Sequence, residues 1–214
     1  MPRYAARTLE ILNRLDKKYG TEDRCGLDYE TDWQLLFATE LSAQCTDARV
    51  NIVTKDLFKK YTSIEDFAKA DVREIEEDIR STGFYRNKAK NLKSGAVRIM
   101  TEYGGIVPDN MEDLLTIAGV GRKTANVLLG HIHKVPGIVV DTHVGRISRR
   151  LDLTKEDDPV KVEFDLYKKI PKDNWIRFNF QMISFGREIC RSRGPKCDEC
   201  FLSDICRSKD KKVK

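Results

Sequence analysis

From its first residues the chain places apolar side chains three to four positions apart. Ala5, Leu9, Leu12, Leu15 and Tyr19 share one helical face, and the run stops at Gly20, the pattern of an amphipathic helix ended by a glycine. Thr31 stands three residues before Gln34 at the head of WQLLFATEL, so a hydroxyl and a carboxamide can satisfy the free amides of a second helix start. Asp47 is placed to cap a helix through Tyr61, Asp71 with Glu74 marks another start, and Ser63 with Asp66 a weaker one. Gly83 closes that region before a helical run over 87–103, and Asp109 with Glu112 opens the short stretch MEDLLTIA. Asp158 before Pro159 is a further start, because proline at the first helical position gives up no needed donor, and VKVEFDLYKKI carries that helix to Pro171. IVV before Asp141 is the one strand-like fragment, and three residues without a partner make no sheet. The pattern predicts an all-α protein.

Length and composition narrow the setting. A chain of 214 residues with 40% hydrophobic content suits one or two domains. The 39 basic residues outnumber 34 acidic ones by only +5, too mild an excess to mark a nucleic-acid binder by itself. No run of about 18 apolar residues occurs, and MPRYAARTLEIL lacks the basic and apolar segments of a secretory leader. A soluble intracellular protein with no membrane partner is expected. In that setting the four cysteines gathered between Cys190 and Cys206 favour a metal site over disulfides. Cys25 and Cys45 stand apart and read as single buried thiols. There is no internal repeat or low-complexity linker, and the lysine-rich end SKDKKVK reads as a frayed, solvated terminus.

The stretch LTIAGVGRKTANVLLG, residues 115–130, carries the first candidate chemistry. A short helix, a tight AGVGR turn and a second helix starting at Arg122 leave the amides around Gly119 and Gly121 unshielded by side chains, so an anion can approach them. The partial positive charge of a helix start adds to this, giving a site suited to a DNA backbone phosphate. A plain helix connection is the simpler reading of two glycines alone. Lys123 sits in the first turn of the second helix, where the dipole, and partial burial, would favour its neutral and nucleophilic amine. Asp141 in VVDTHVGR caps the helix THVGRISRRL, and the same carboxylate can stabilise positive charge or relay protons.

The second candidate is Cys190, Cys197, Cys200 and Cys206, spaced C-x6-C-x2-C-x5-C. Structural zinc usually arrives as two close pairs, and only Cys197 and Cys200 are close, so an iron-sulfur cluster is favoured over zinc. The loop between the first two cysteines brings Arg191, Arg193 and Lys196, charges that keep a tight loop soluble and are able to meet phosphates.

With LSAQCTDARVN and STGFYRNKAKNL, these motifs resemble the endonuclease III family, iron-sulfur helix-hairpin-helix DNA glycosylases with an associated lyase, over almost the whole chain. The resemblance implies a six-helix barrel domain with the hairpin over 25–135, a second helical domain from 1–24 and 136–214 carrying a 4Fe-4S cluster, and an active site between them. It implies Lys123 as the Schiff-base nucleophile, Asp141 as the catalytic aspartate, Gln44 filling the gap left by a flipped nucleotide and Phe84 wedging the opposite strand, on damaged double-stranded DNA. It further implies a cytoplasmic monomer, associated with the nucleoid through DNA, that excises oxidised pyrimidines and cleaves the abasic site by β-elimination. A mismatch-specific glycosylase of the same superfamily and a non-catalytic hairpin module with a zinc knot are the alternatives; neither needs Lys123. Three positions depart from the family pattern: Ala118 replaces a proline, Phe84 a leucine, and Phe185 a histidine, the last expected to alter a cleft wall or the DNA face.

Overall fold

The structure, a computed structural model, describes residues 4–211. Among these residues all regular structure is helical, and the chain divides into two compact units, 25–135 and the two segments 1–24 and 136–214.

The 25–135 unit holds α2 (Asp32–Leu41), α3 (Asp47–Lys60), α4 (Ile64–Lys69), α5 (Val72–Asp78), α6 (Tyr85–Glu102), α7 (Met111–Leu114) and α8 (Arg122–His131). From Leu35 to Leu41 every residue of α2 is buried, so this helix is the centre of the unit rather than a one-sided surface helix. The helices α3, α6 and α8 pack on it. Beside it, Trp33, Phe37, Phe58 and Phe67 form an edge-on aromatic cluster, with Trp33 to Phe58 at 5.2 Å and Phe37 to Phe67 at 4.8 Å. Each fully buried ring such as Phe37 or Phe67 contributes about 1.5–3 kcal/mol through area removed from water.

The helix starts are where local competition decides. The Ser63 start is the complete reciprocal box, Ser63 Oγ accepting from Asp66 N at 3.2 Å and Asp66 Oδ2 from Ser63 N at 3.0 Å. Two expected caps shift by one residue. Thr46 rather than Asp47 caps α3, accepting from Arg49 N at 3.3 Å, and Asn110 rather than Asp109 caps α7, accepting from Asp113 N at 2.9 Å. Adjacent residues of cap-forming type compete for one position, and the sequence alone does not rank them. Gln34 turns its oxygen to Glu30 N, at 2.7 Å, instead of closing a box on Thr31. Helix α6 starts two residues before 87, because Phe84 takes a left-handed φ of 50° and its carbonyl accepts from Asn87 N and Lys88 N.

The other unit holds α1 (Ala6–Tyr19), α9 (Thr142–Arg150), α10 (Pro159–Lys169) and α11 (Trp175–Glu188). Its core joins Ile11, Leu12, Leu15, Val144, Ile147, Leu166, Phe178 and Met182. The buried face of α1 runs through Thr8, Ile11, Leu12 and Leu15, and Leu9, expected inside, is 38% exposed. Helix α11 lies so close to α9 that a Cβ on Gly186 would strike His143, Ile147 and Arg146. Asp16 ties α1 to α11 through Arg177, at 2.9 and 3.1 Å, and Gln181, at 2.8 Å. Residues 138–140 are not a strand: Ile138 and Val139 are buried, and Asn179 Nδ2 donates to Val139 O at 3.1 Å.

Past Cys190, among the described residues, only the short turns Cys197–Glu199 and Ser203–Ile205 are regular. The expected fraying does not begin at Ser208, since Lys211 Nζ donates to Ser203 O at 2.7 Å and Asp210 pairs with Arg150 at 3.5 Å. Residues 212–214 of that tail lie outside the described residues.

Candidate active site

The hairpin stands between α7 and α8. Val120 N donates to Ile117 O at 3.1 Å and Gly119, third in that turn, has φ of 83°. With Ala118 outside the positive-φ region this is a type II turn, whose third position requires a glycine-like backbone. A Cβ on Gly119 would also collide with the carboxyl of Glu40 and lie 2.9 Å from Asn91 Nδ2. Gly121 differs in both respects. Its φ is −99°, it is the N-cap of α8, and a Cβ there would meet nothing within 4 Å. Gly119 therefore serves the fold, while Gly121 leaves the first amides of α8 without a side-chain acceptor and open to an anion. Arg122 and Lys123 follow as the first two residues of that helix. Lys123 is exposed, so the partial burial expected of it is absent.

Two more predicted residues lie in the same unit. Gln44 and Phe84 are exposed, Phe84 by 63%, and both are held at positive φ, 54° and 50°. Such a backbone costs about 1–3 kcal/mol at a non-glycine residue and persists only where the surroundings impose it. An exposed aromatic on a strained backbone is no core residue under a loop.

In the other unit, Asp141 is half-buried at the start of α9, its Oδ1 accepting from Val144 N at 2.8 Å. One oxygen of the carboxylate is thus committed to the cap. His143 beside it is held below the usual histidine range by burial, with Asp141 opposing and Arg146 adding to the shift. Arg146 Nη2 donates to Cys190 O at 3.0 Å, and Arg150 Nη1 lies 3.6 Å from Cys190 Sγ, so α9 joins the aspartate's end to the cysteine segment.

The four cysteines are free and line one cavity with Leu151, Phe185, Ile189 and Pro195. Burial pushes the Cys200 thiol up to about 11, with Cys190, Cys206 and Cys197 adding to the shift. Among the described residues, no group of three or more His, Cys, Asp or Glu side chains is gathered tightly enough to hold a metal ion as it stands. The donor set nonetheless fits an iron-sulfur group, with four thiols facing one apolar-walled space and Arg150 at hand to offset thiolate charge. Phe185 corrects the expectation made of it: it is 1% exposed, packs on Phe201 at 5.2 Å and walls this cavity. Cys25 and Cys45 are only partly buried. On the loop, Arg191 and Arg193 are exposed and Lys196 pairs with Glu199 at 3.2 Å, while Arg150 holds the carbonyls of Arg191 and Ser192 at 2.6 and 3.1 Å. Sequence reading missed Glu40, Lys88, Arg150 and Gly186; Lys88 and Arg150 lie within quoted motifs that give no sign of what they hold, and the signal for all four lies in contacts distant along the chain.

A helical fold with a glycine hairpin feeding a lysine defines a class. Residues 37–172 match the model of the HhH-GPD superfamily base excision DNA repair proteins. Within that superfamily the chain belongs to the endonuclease III family. It is 51% identical over 203 residues to endonuclease III of Synechocystis sp. (strain ATCC 27184 / PCC 6803 / Kazusa), covering 94% of this chain and 92% of the relative. It is 44% identical to endonuclease III of Bacillus subtilis (strain 168), covering 89% and 87%. A solved structure of a trapped endonuclease III-DNA covalent intermediate superposes with a TM-score of 0.88 at 42% identity, covering 94% of this chain and 95% of that one. The protein is a base excision repair enzyme.

Proposed function

We propose that the protein excises oxidised pyrimidines from duplex DNA and cleaves the resulting abasic site, with Lys123 as nucleophile. The observation that carries this is the position of Lys123, exposed at the second residue of α8, directly behind a hairpin whose amides are open to a phosphate. The hairpin amides and Arg122 grip the strand, Phe84 wedges its partner and Gln44 fills the gap left by the extruded nucleotide. Extrusion costs a few kcal/mol, roughly, and least for a damaged base, so the substrate itself supplies part of the selectivity.

Lys123 Nζ attacks the sugar C1′ as the bond to the base breaks and the bonding pair leaves with the base. Asp141 stabilises the cationic character at the sugar. The sugar then opens: Nζ gives up a proton, the C1′–O4′ bond breaks, O4′ takes a proton, and an iminium is left between Nζ and C1′. That iminium acidifies the C2′ protons, and loss of one of them expels the 3′ phosphate by β-elimination. Arg191, Arg193 and Lys196 add phosphate contacts from the cysteine segment. Cys190, Cys197, Cys200 and Cys206 would hold a 4Fe-4S cluster, one thiolate to each iron. When bound, that cluster cross-links a segment of the chain that has almost no regular structure of its own.

A covalent endonuclease III-DNA intermediate in a relative of 42% identity supports the lysine assignment. Borohydride trapping on abasic duplex DNA tests it. The wild type should give a covalent adduct, and Lys123→Ala should give none while binding the duplex within a few-fold of wild type. No adduct from the wild type would end the lyase reading. An excision panel of thymine glycol, oxidised cytosines, uracil and mismatches tests the lesion class.

A further inference from the structure

Lys88 sits on α6, 5% exposed, and forms no ion pair among the described residues. Its ammonium instead donates to two carbonyls, Leu41 O at 2.9 Å and Thr82 O at 2.8 Å. Leu41 is the last residue of α2, and Thr82 is the last of the short turn Arg80–Thr82. Helix ends carry unsatisfied carbonyls and partial negative charge, so two of them converging on one cation make up much of what burial costs it. Burial lowers the Lys88 pKa from the usual lysine value. The amine form keeps two N–H donors, so the tie holds in either state.

Each of the two carbonyls leads into an exposed turn. Three residues past Leu41 the backbone turns left-handed at Gln44, and two residues past Thr82 it does so at Phe84. These are two of the four non-glycine residues at positive φ among those described, and both side chains are exposed. Within the first loop the backbone bonds are local, Ala43 N to Glu40 O and Cys45 N to Ser42 O. Lys88 reaches from the segment leading into one loop to the segment leading into the other.

We propose that Lys88 is a positioning residue, which ties the segment carrying Gln44 to the segment carrying Phe84 and so sets the spacing at which the two enter a duplex. The proposal rests on the roles of Gln44 as gap filler and Phe84 as wedge. It separates two substrates. Abasic duplex DNA needs a gap filled and a partner strand wedged, and a single-stranded abasic oligonucleotide needs neither, yet both present the same sugar to Lys123.

The test measures β-elimination by the full-length holoprotein on both substrates, in wild type and Lys88→Met. The duplex to single-strand rate ratio should fall at least fivefold in the variant. A smaller change in the ratio, whether both rates fall together or neither falls, overturns the proposal. If Lys88→Met does not fold, Lys88→Gln, whose shorter amide cannot span both carbonyls, is held to the same criterion. Absence of cleavage of both substrates by the wild type would instead count against the lyase reading, so the two failures are distinct.

Discussion

In residues 25–135 the exposed turns stand on a filled interior: α2 is buried from Leu35 to Leu41, and the positions held at positive φ around it include Gln44, Phe84 and Gly119. The segment 190–211 has Leu202 as its one buried hydrophobic residue. That segment is held by cations on carbonyls and carboxylates. Arg14 reaches Phe201 O at 2.8 Å and Asp204 at 2.6 Å, Arg7 reaches Ile205 O at 3.2 Å, and Arg150 takes the carbonyls of Arg191 and Ser192. A core can impose strain on its loops because many contacts over-determine them. A coreless segment needs cross-links, and surface ion pairs of about 0–1 kcal/mol each are weak ones. On the proposed reading, a cluster held by the four cysteines would supply the missing constraint.

The sharpest break in that comparison should come from the cysteines. Cys200→Ser should abolish iron content and strip hydrogen-exchange protection from 190–211 completely, because binding energy at such a site is folding energy. Protection in α2 and α6 should stay at the wild-type level. Equal loss in both regions would show that the 25–135 unit is not independent of the cross-link, and zinc in anaerobically prepared protein would replace the cluster itself.

The two hairpin glycines come next. Gly119→Ala places a Cβ at φ of 83° against the Glu40 carboxyl and should cost on the order of 3 kcal/mol in chemical denaturation. Gly121→Ala meets open space and should change stability by less than about 0.5 kcal/mol, yet weaken duplex binding by covering amides meant for phosphate. Equal stability losses would refute the division of labour between them.

Glu40 gives a smaller, pH-dependent effect. Among the described residues neither of its oxygens has a partner, and burial raises its pKa well above the ordinary 4.5. A raised acid stays protonated in the folded state while the unfolded chain ionises, so its contribution is intact below 4.5 and is lost as pH rises from there to the folded-state value. Glu40→Gln should flatten the fall in denaturation midpoint as pH rises above 4.5. An unchanged slope would mean that the carboxyl finds a partner in solution.

Much of this was legible in the sequence because the relevant signals are local. The hairpin, Asp141 as the cap of α9, the Gly20 stop and the cysteine spacing each depend on residues a few positions apart. Thr46 and Asn110 displaced the expected caps because neighbours of equal chemistry competed. Leu9 looked like core because periodicity marks a face without saying where its edge falls. Lys88 and Glu40 were invisible for another reason. A lysine in YRNKAKN and a glutamate in FATEL read as surface charges, and only the packing of α6 and the hairpin against α2 buries them.

Ala118 carries the smallest effect and probes the hairpin most gently. It occupies the second position of the type II turn closed by Val120 N and Ile117 O, where proline's fixed φ near −65° is already suited. The Ala118 amide takes no part in the backbone bonds of the turn, so Ala118→Pro removes no donor from it and mainly restricts the unfolded chain. The gain should be about 0.4–1 kcal/mol, or a Tm rise of about 1–4 °C at this chain length. Gly119 would keep its conformation and Gly121 its open amides, so duplex affinity should stay within twofold. A stability loss would show that the turn relies on flexibility at Ala118, and that the strain in this unit extends beyond the three positive-φ positions on which the comparison rests.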